Sequence, residues 1–101
     1  MQYNFKKTNV KKRYLMAVDP ELLKAIASID NMGELSSFFV EIFTPAELDD
    51  ISLRWKLLKD LNEGLTQRKI AEKYSISLCK ITRGSKILKN KDSVVLKILN
   101  T

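Results

Sequence analysis

The sequence contains no histidine, a single cysteine, three glycines and two prolines in 101 residues. Each scarcity removes a class of function. Without histidine the usual zinc-ligand spacings cannot be assembled, and the commonest general base is missing. No Ser-His or Cys-His pair is possible, and no carboxylate–metal arrangement is visible. The residues therefore point away from catalysis and from a bound metal. Cys79 has no second cysteine to meet, which excludes an intrachain disulfide. Long apolar runs are absent as well. The stretch Tyr14–Val18 ends at once in Asp19-Pro20, too short for a signal-peptide core or a membrane span, so the chain reads as cytoplasmic with no membrane partner. With so few turn residues, and β-branched residues scattered rather than alternating, the composition favours a small all-α domain.

What the chain does have is charge, unevenly placed. The formal net charge is +6. Residues 1–13 carry five cations and no acid, residues 14–65 four cations against ten acids, and residues 66–101 nine cations against two acids. A solvated surface mixes the signs, whereas a polyanion binder concentrates cations on the elements that touch phosphate. Basic bias alone does not distinguish the two.

Residues 1–17 are basic, lack a helical period and read as a mobile arm; 18–101 reads as one helical domain. Asp19-Pro20-Glu21 combines an N-cap, a first-turn proline and an acidic first turn. Leu22, Leu23, Ile26 and Ile29 follow at helical spacing, and Asn31-Met32-Gly33 breaks the pattern. A second helix is expected over Glu34–Phe43, with Leu35, Phe38, Phe39 and Ile42 on one face. Thr44-Pro45-Ala46-Glu47 is a capping box with proline at N1. It opens the longest helix, whose stripe Leu48, Ile51, Trp55, Leu58 and Leu61 reads as core and which stops at Gly64. The segments 18–63, 66–89 and 92–100 are thus expected as core and dimerisation helices, a reading head and a short last helix. The apolar surface of the first half, including Phe38, Phe39, Ile42 and Phe43, exceeds what one head can cover and predicts a homodimer.

Gln67–Ser85 reads QRKIAEKYSISLCKITRGS. A helix-turn-helix needs a small residue where its helices cross, apolar residues framing the crossing and a tight turn. Ala71 is the small residue; Ile70, Tyr74, Ile76 and Ile81 are the frame; Tyr74-Ser75-Ile76-Ser77 is the turn. Ser77 is placed to cap the second helix, with Leu78, Cys79, Lys80 and Thr82 near its groove-facing start. Gln67 and Arg68 open the first helix, and Lys89 closes the second. These eight residues, Gln67, Arg68, Ser77, Leu78, Cys79, Lys80, Thr82 and Lys89, are the candidate contacts to double-stranded DNA. Ser75 stands where such turns prefer glycine, and Gly84 where the second helix usually has a large aliphatic residue. An interior glycine costs a helix roughly 1 kcal/mol against alanine, so Gly84 is expected to have a steric purpose. On helix propensity alone, Gly84→Leu would improve the helix.

From Ile42 to Lys89 the sequence resembles the Trp repressor family. The likeness rests on Thr44-Pro45, Arg54, Gly64, Thr66-Gln67-Arg68 and above all Ile81-Thr82-Arg83-Gly84-Ser85; upstream of Phe38 little is similar beyond helical pattern. The resemblance implies an intertwined all-helical homodimer that represses transcription with L-tryptophan as co-repressor and with no other cofactor. By the same implication Arg54 and Arg83 sandwich the indole between guanidinium planes. Arg83, helped by Thr44, pairs with the ligand carboxylate, Gly84 lets the ring lie close to the backbone, and carbonyls near Glu41 and Phe43 of the partner subunit receive the ammonium. Ile87 stands where the family commonly has a serine hydroxyl near that amine, a loss of about one to two powers of ten in affinity.

Two alternatives stay open. Arg54 lies four residues after Asp50, so it is equally placed for an ordinary surface ion pair. The protein as a whole reads as a tryptophan-dependent repressor, as a related helix-turn-helix regulator with another ligand or none, or as a helical interaction module whose basic tail binds an acidic partner.

Overall fold

A computed structural model describes residues 17–101, so nearly all of the basic arm expected at 1–17 lies outside the described residues. Six helices follow one another without a strand among the described residues: α1 (Pro20–Ser28), α2 (Met32–Ile42), α3 (Pro45–Asn62), α4 (Gln67–Tyr74), α5 (Leu78–Lys89) and α6 (Val94–Leu99). The chain divides into two compact units, one ending at Phe43 and one of Thr44–Thr101. That boundary falls inside the segment 18–63 that the sequence presents as one set of core helices.

In the first unit, Asp19 caps α1 by accepting the Glu21 N–H at 2.9 Å. Asn31 caps α2, accepting the Glu34 N–H at 2.7 Å while its own amide donates to the Glu34 carboxylate at 3.0 Å. This cap corrects the expected start at Glu34. A capped asparagine turns the supposed break Asn31-Met32-Gly33 into the first turn of the helix. Phe39 packs on Phe43 with ring centroids 5.2 Å apart. Neither helix has a buried residue, and Leu23, Met32, Val40 and Ile42 stand exposed.

The second unit has a core. The capping box that opens α3 forms as expected, with the Glu47 N–H donating to Thr44 Oγ1 at 3.2 Å and the Thr44 N–H to Glu47 Oε1 at 2.9 Å. At the other end Gly64 takes φ +98°, and the N–H groups of Gly64 and Leu65 return to the carbonyls of Leu61 and Asp60. These are the two bonds of a Schellman motif, which needs a left-handed residue where Gly64 sits. Thr66 caps α4, and Ser75 turns the chain in the left-handed region at φ 55°, at a cost of about 1 kcal/mol for a non-glycine residue. Ser93 caps α6 by accepting the Leu96 N–H, so the last helix starts at Val94 rather than Asp92.

Leu57 and Leu58 of α3, Ile70 of α4 and Ile81 of α5 form the buried centre, both isoleucines fully enclosed. Ala71, Tyr74, Ile76, Leu61 and the α6 residues Val95 and Leu99 pack around it. The expected core stripe of α3 needs correction. Leu58 and Leu61 belong to the core, but Ile51 and Trp55 are exposed. The helix is apolar on two sides: α4 and α5 cover the side of Leu57, Leu58 and Leu61, while Ile51 and Trp55 are left partly open, 39% and 41% exposed.

One polar group is buried in the second unit. Asp60, 7% exposed, accepts the Tyr74 hydroxyl at 2.6 Å and the Lys73 ammonium at 3.1 Å, fastening α4 to α3. Burial pushes its carboxyl up, but the Tyr74 hydroxyl and Lys73 outweigh burial and hold it below the usual 3.8.

Candidate ligand cleft and nucleic-acid face

Between α3 and α5 lies a cleft of ≈ 340 Å³, lined by Asp50, Leu53, Arg54 and Leu57 of the first and Cys79, Lys80 and Arg83 of the second. The spacing explains the walls. Residues 50, 53, 54 and 57 share one face of α3, and residues 79, 80 and 83 share one face of α5. Leu57 is buried and Leu53 half-buried, so the floor is apolar, while the charged groups stand exposed at the rim. Small-molecule sites typically start at about 300 Å³ with an apolar lining and a few convergent polar groups. Arg54, Arg83 and Lys80 supply two guanidiniums and one ammonium to its lining, chemistry that suits an anionic group.

Of the five residues that the sequence proposed for the ligand, Arg54 and Arg83 line the cleft, and Thr44, Gly84 and Ile87 do not. Thr44 is the N-cap of α3. Ile87 is half-buried and packs against the core. Gly84 is buried, and a Cβ built there would lie 2.8 Å from Leu57 Cδ1, 3.3 Å from Leu61 Cδ1 and 3.4 Å from Leu58 Cδ2. Its steric purpose is therefore the close approach of α5 to the leucines of α3. A leucine there would meet these three side chains, whatever it gains in helix propensity. The alternative ion pair between Asp50 and Arg54 is not formed; among the described residues Lys73–Asp60 is the ion pair.

The nucleic-acid candidates lie on α4, α5 and the turn between them. Arg68, Ser77, Leu78, Cys79, Lys80, Thr82 and Lys89 are exposed and Gln67 is half-buried. Gln67 and Thr82 meet across the motif, Thr82 Oγ1 lying 3.4 Å from Gln67 Oε1 and donating to the Leu78 carbonyl at 3.0 Å. Ser77 occupies the N-cap position of α5, yet its hydroxyl makes no capping hydrogen bond, contrary to the sequence expectation. Its extended backbone begins the helix without it.

The family described as Trp repressor protein matches residues 20–101 of this chain. The chain belongs to the Trp repressor family. The match reaches upstream to α1, well beyond the likeness visible from Ile42 onward. Similar curated proteins include a "Trp operon repressor homolog" of Chlamydia trachomatis serovar L2, 44% identical over 62 residues, which are 60% of this chain and 63% of that protein. Another, from Chlamydia caviae, is 36% identical over 70 residues, 68% of this chain and 69% of its own. A third, from Xylella fastidiosa strain M23, is 31% identical over 65 residues, 63% of this chain and 71% of its own. The matched part thus spans less than two thirds of the Chlamydia trachomatis relatives. No solved structure matches the chain.

For this Trp repressor family member, sequence reasoning missed the α3 wall of the cleft. Asp50 and Leu57 sit one helical turn from Arg54 on either side and Leu53 directly precedes it, and that spacing is the available signal. Cys79 and Lys80, taken as nucleic-acid contacts, line the cleft as well. The start of α5 is therefore common to both surfaces.

Proposed function

We propose that the chain is a sequence-specific DNA-binding repressor with L-tryptophan as its co-repressor, acting as a homodimer. One observation carries this reading: the cleft between Arg54 and Arg83 shares Cys79 and Lys80 with the exposed start of the second motif helix. A ligand held there would bear on the element that meets the major groove. An indole fits between guanidinium planes, and its carboxylate pairs with an Arg fork. The relatives named Trp operon repressor homolog support the same reading. Exposed Ile51 and Trp55, and the uncovered apolar residues of the first unit, supply surface for a second copy. Two heads in such a dimer would stand about one DNA turn apart, near 34 Å.

A second reading, a helix-turn-helix regulator without tryptophan control, is favoured by one finding. Thr44, Gly84 and Ile87 do not line the cleft. Binding to duplexes selected from a random pool, measured with and without millimolar L-tryptophan, decides between them. Tryptophan-enhanced, salt-sensitive binding supports the first; salt-sensitive binding indifferent to tryptophan supports the second. No binding to any duplex would overturn both.

A further inference from the structure

The start of α5 offers a DNA groove less polar chemistry than its residue types suggest. Leu78 is 53% exposed, and Cys79 and Thr82 are exposed as well. Thr82 lies four residues after Leu78 and three after Cys79, so the three side chains are neighbours on one face of the helix. The Thr82 hydroxyl donates its single proton to the Leu78 carbonyl at 3.0 Å and lies 3.4 Å from Gln67 Oε1. With that proton spent inside the protein, Thr82 has none for a phosphate oxygen or a purine N7, both of which are acceptors. What remains is its methyl group, the Leu78 side chain and the weakly polar Cys79 thiol. The same motif exposes Arg68, Lys80 and Lys89, whose charge complements a duplex.

We propose that Leu78, Cys79 and Thr82 form an apolar reader of the thymine 5-methyl group in the major groove. This rests on the reading of α4 and α5 as a DNA-binding motif given above. The thymine methyl is the apolar group that base edges present in that groove, and recognising it needs no hydrogen-bond donor. Covering one methyl with this patch is worth about fourfold in affinity. The cations hold a duplex of any sequence, and the patch favours one with thymine opposite it.

The test uses a duplex selected from a random pool by the full chain, with millimolar L-tryptophan present throughout. Each thymine is replaced in turn by deoxyuridine, which removes the methyl and keeps every hydrogen-bonding group. The expected result for the wild type is a loss of about fourfold at one or more positions. Leu78→Ala or Thr82→Ser should cancel that loss at the same position. Thr82→Val, which keeps a methyl and deletes the hydroxyl, should still tell thymine from uracil. Thermal unfolding confirms that each variant is folded. Equal binding of the parent and every deoxyuridine duplex, or a uracil penalty unchanged in both Leu78→Ala and Thr82→Ser, would overturn the proposal while parent binding upholds the motif. Discrimination lost in Thr82→Val and kept in Thr82→Ser would also overturn it, placing the reading in the hydroxyl. Binding of no duplex by the wild type would overturn the DNA-binding reading and this assignment together.

Discussion

Gly84 on α5 lies so close to Leu57 on α3 that a single methyl group would come within 2.8 Å of Leu57 Cδ1. Leu57 also lines the cleft, so packing and cleft shape meet in one side chain. Alanine at this position gains roughly 1 kcal/mol of helix propensity and presses on the far end of a side chain that can turn toward the cleft. Gly84→Ala is therefore expected to change stability by less than about 1 kcal/mol while narrowing the cleft. Gly84→Leu adds a branched group among three leucines and should lose about 1–3 kcal/mol from overpacking. Urea denaturation of both variants checks this; a Leu variant more stable than wild type would show that α5 moves away freely.

The link of Tyr74 to Asp60 predicts a pH dependence. The Asp60 carboxyl is held below 3.8 in the folded protein. Its contribution is therefore fully present above that value and is lost as pH falls through the lower folded one. Lys73 and Tyr74 are both raised, chiefly by their hydrogen bonds to Asp60. Their contribution holds below about pH 10 and fades as pH rises through their folded values. Tyr74→Phe removes a hydrogen bond to a charged group and should cost roughly 1.5–3 kcal/mol at neutral pH. It should also make the acid limb of a melting-temperature profile shallower. A parallel profile, lower everywhere by the same amount, would place the Tyr74 contribution in packing alone.

Much of this was legible because its causes are local. The caps at Asp19 and Thr44, the stop at Gly64 and the unusual turn at Ser75 are each decided within a few residues. The frame Ile70, Ile76 and Ile81 follows from spacing within one motif. Other features needed contacts that spacing does not carry. Asp60 meets partners 13 and 14 residues away, and nothing in its neighbourhood marks a buried acid. Trp55 and Ile51 sit at a sound helical period, but α3 is apolar on two sides and the period cannot say which side this unit covers. A steric purpose for Gly84 is legible from its place inside a helix, but that Leu57 comes so close to it is not.

Arg68 and Lys89 separate the two ways a basic residue can serve DNA binding. Arg68 is exposed in the first turn of α4, where its fork can reach a base edge or a phosphate. Lys89 is the last residue of α5, at the opposite end of the helix from Leu78 and Cys79. Arg68→Ala should cost roughly 1–3 kcal/mol on a selected duplex and relax preference at one base step. Lys89→Ala should weaken all duplexes alike and lower the salt slope by about one. Gel-shift titrations over a salt series measure both. An Arg68→Ala protein with unchanged affinity and sequence preference would mean that α4 faces away from the groove.

Arg83 offers the most direct chemical test of the cleft, because lysine keeps its charge and loses everything else that matters. The guanidinium is planar, presents two parallel N–H donors to a carboxylate and stacks on an aromatic ring; an ammonium does none of these. Arg83 is exposed, lines the cleft opposite Arg54 and makes no ion pair among the described residues, so the fold does not depend on it. Arg83→Lys should leave the melting temperature unchanged and weaken L-tryptophan by about tenfold to a hundredfold, the worth of a charge-assisted hydrogen bond and its stacking. Arg54→Lys loses the opposite guanidinium face but not the carboxylate fork, so its loss should be the smaller of the two. Calorimetric titration of both variants gives the affinities, and thermal unfolding confirms their integrity. Should Arg83→Lys bind tryptophan as tightly as wild type, positive charge alone would suffice in the cleft, and neither stacking nor a bidentate carboxylate would belong to its chemistry.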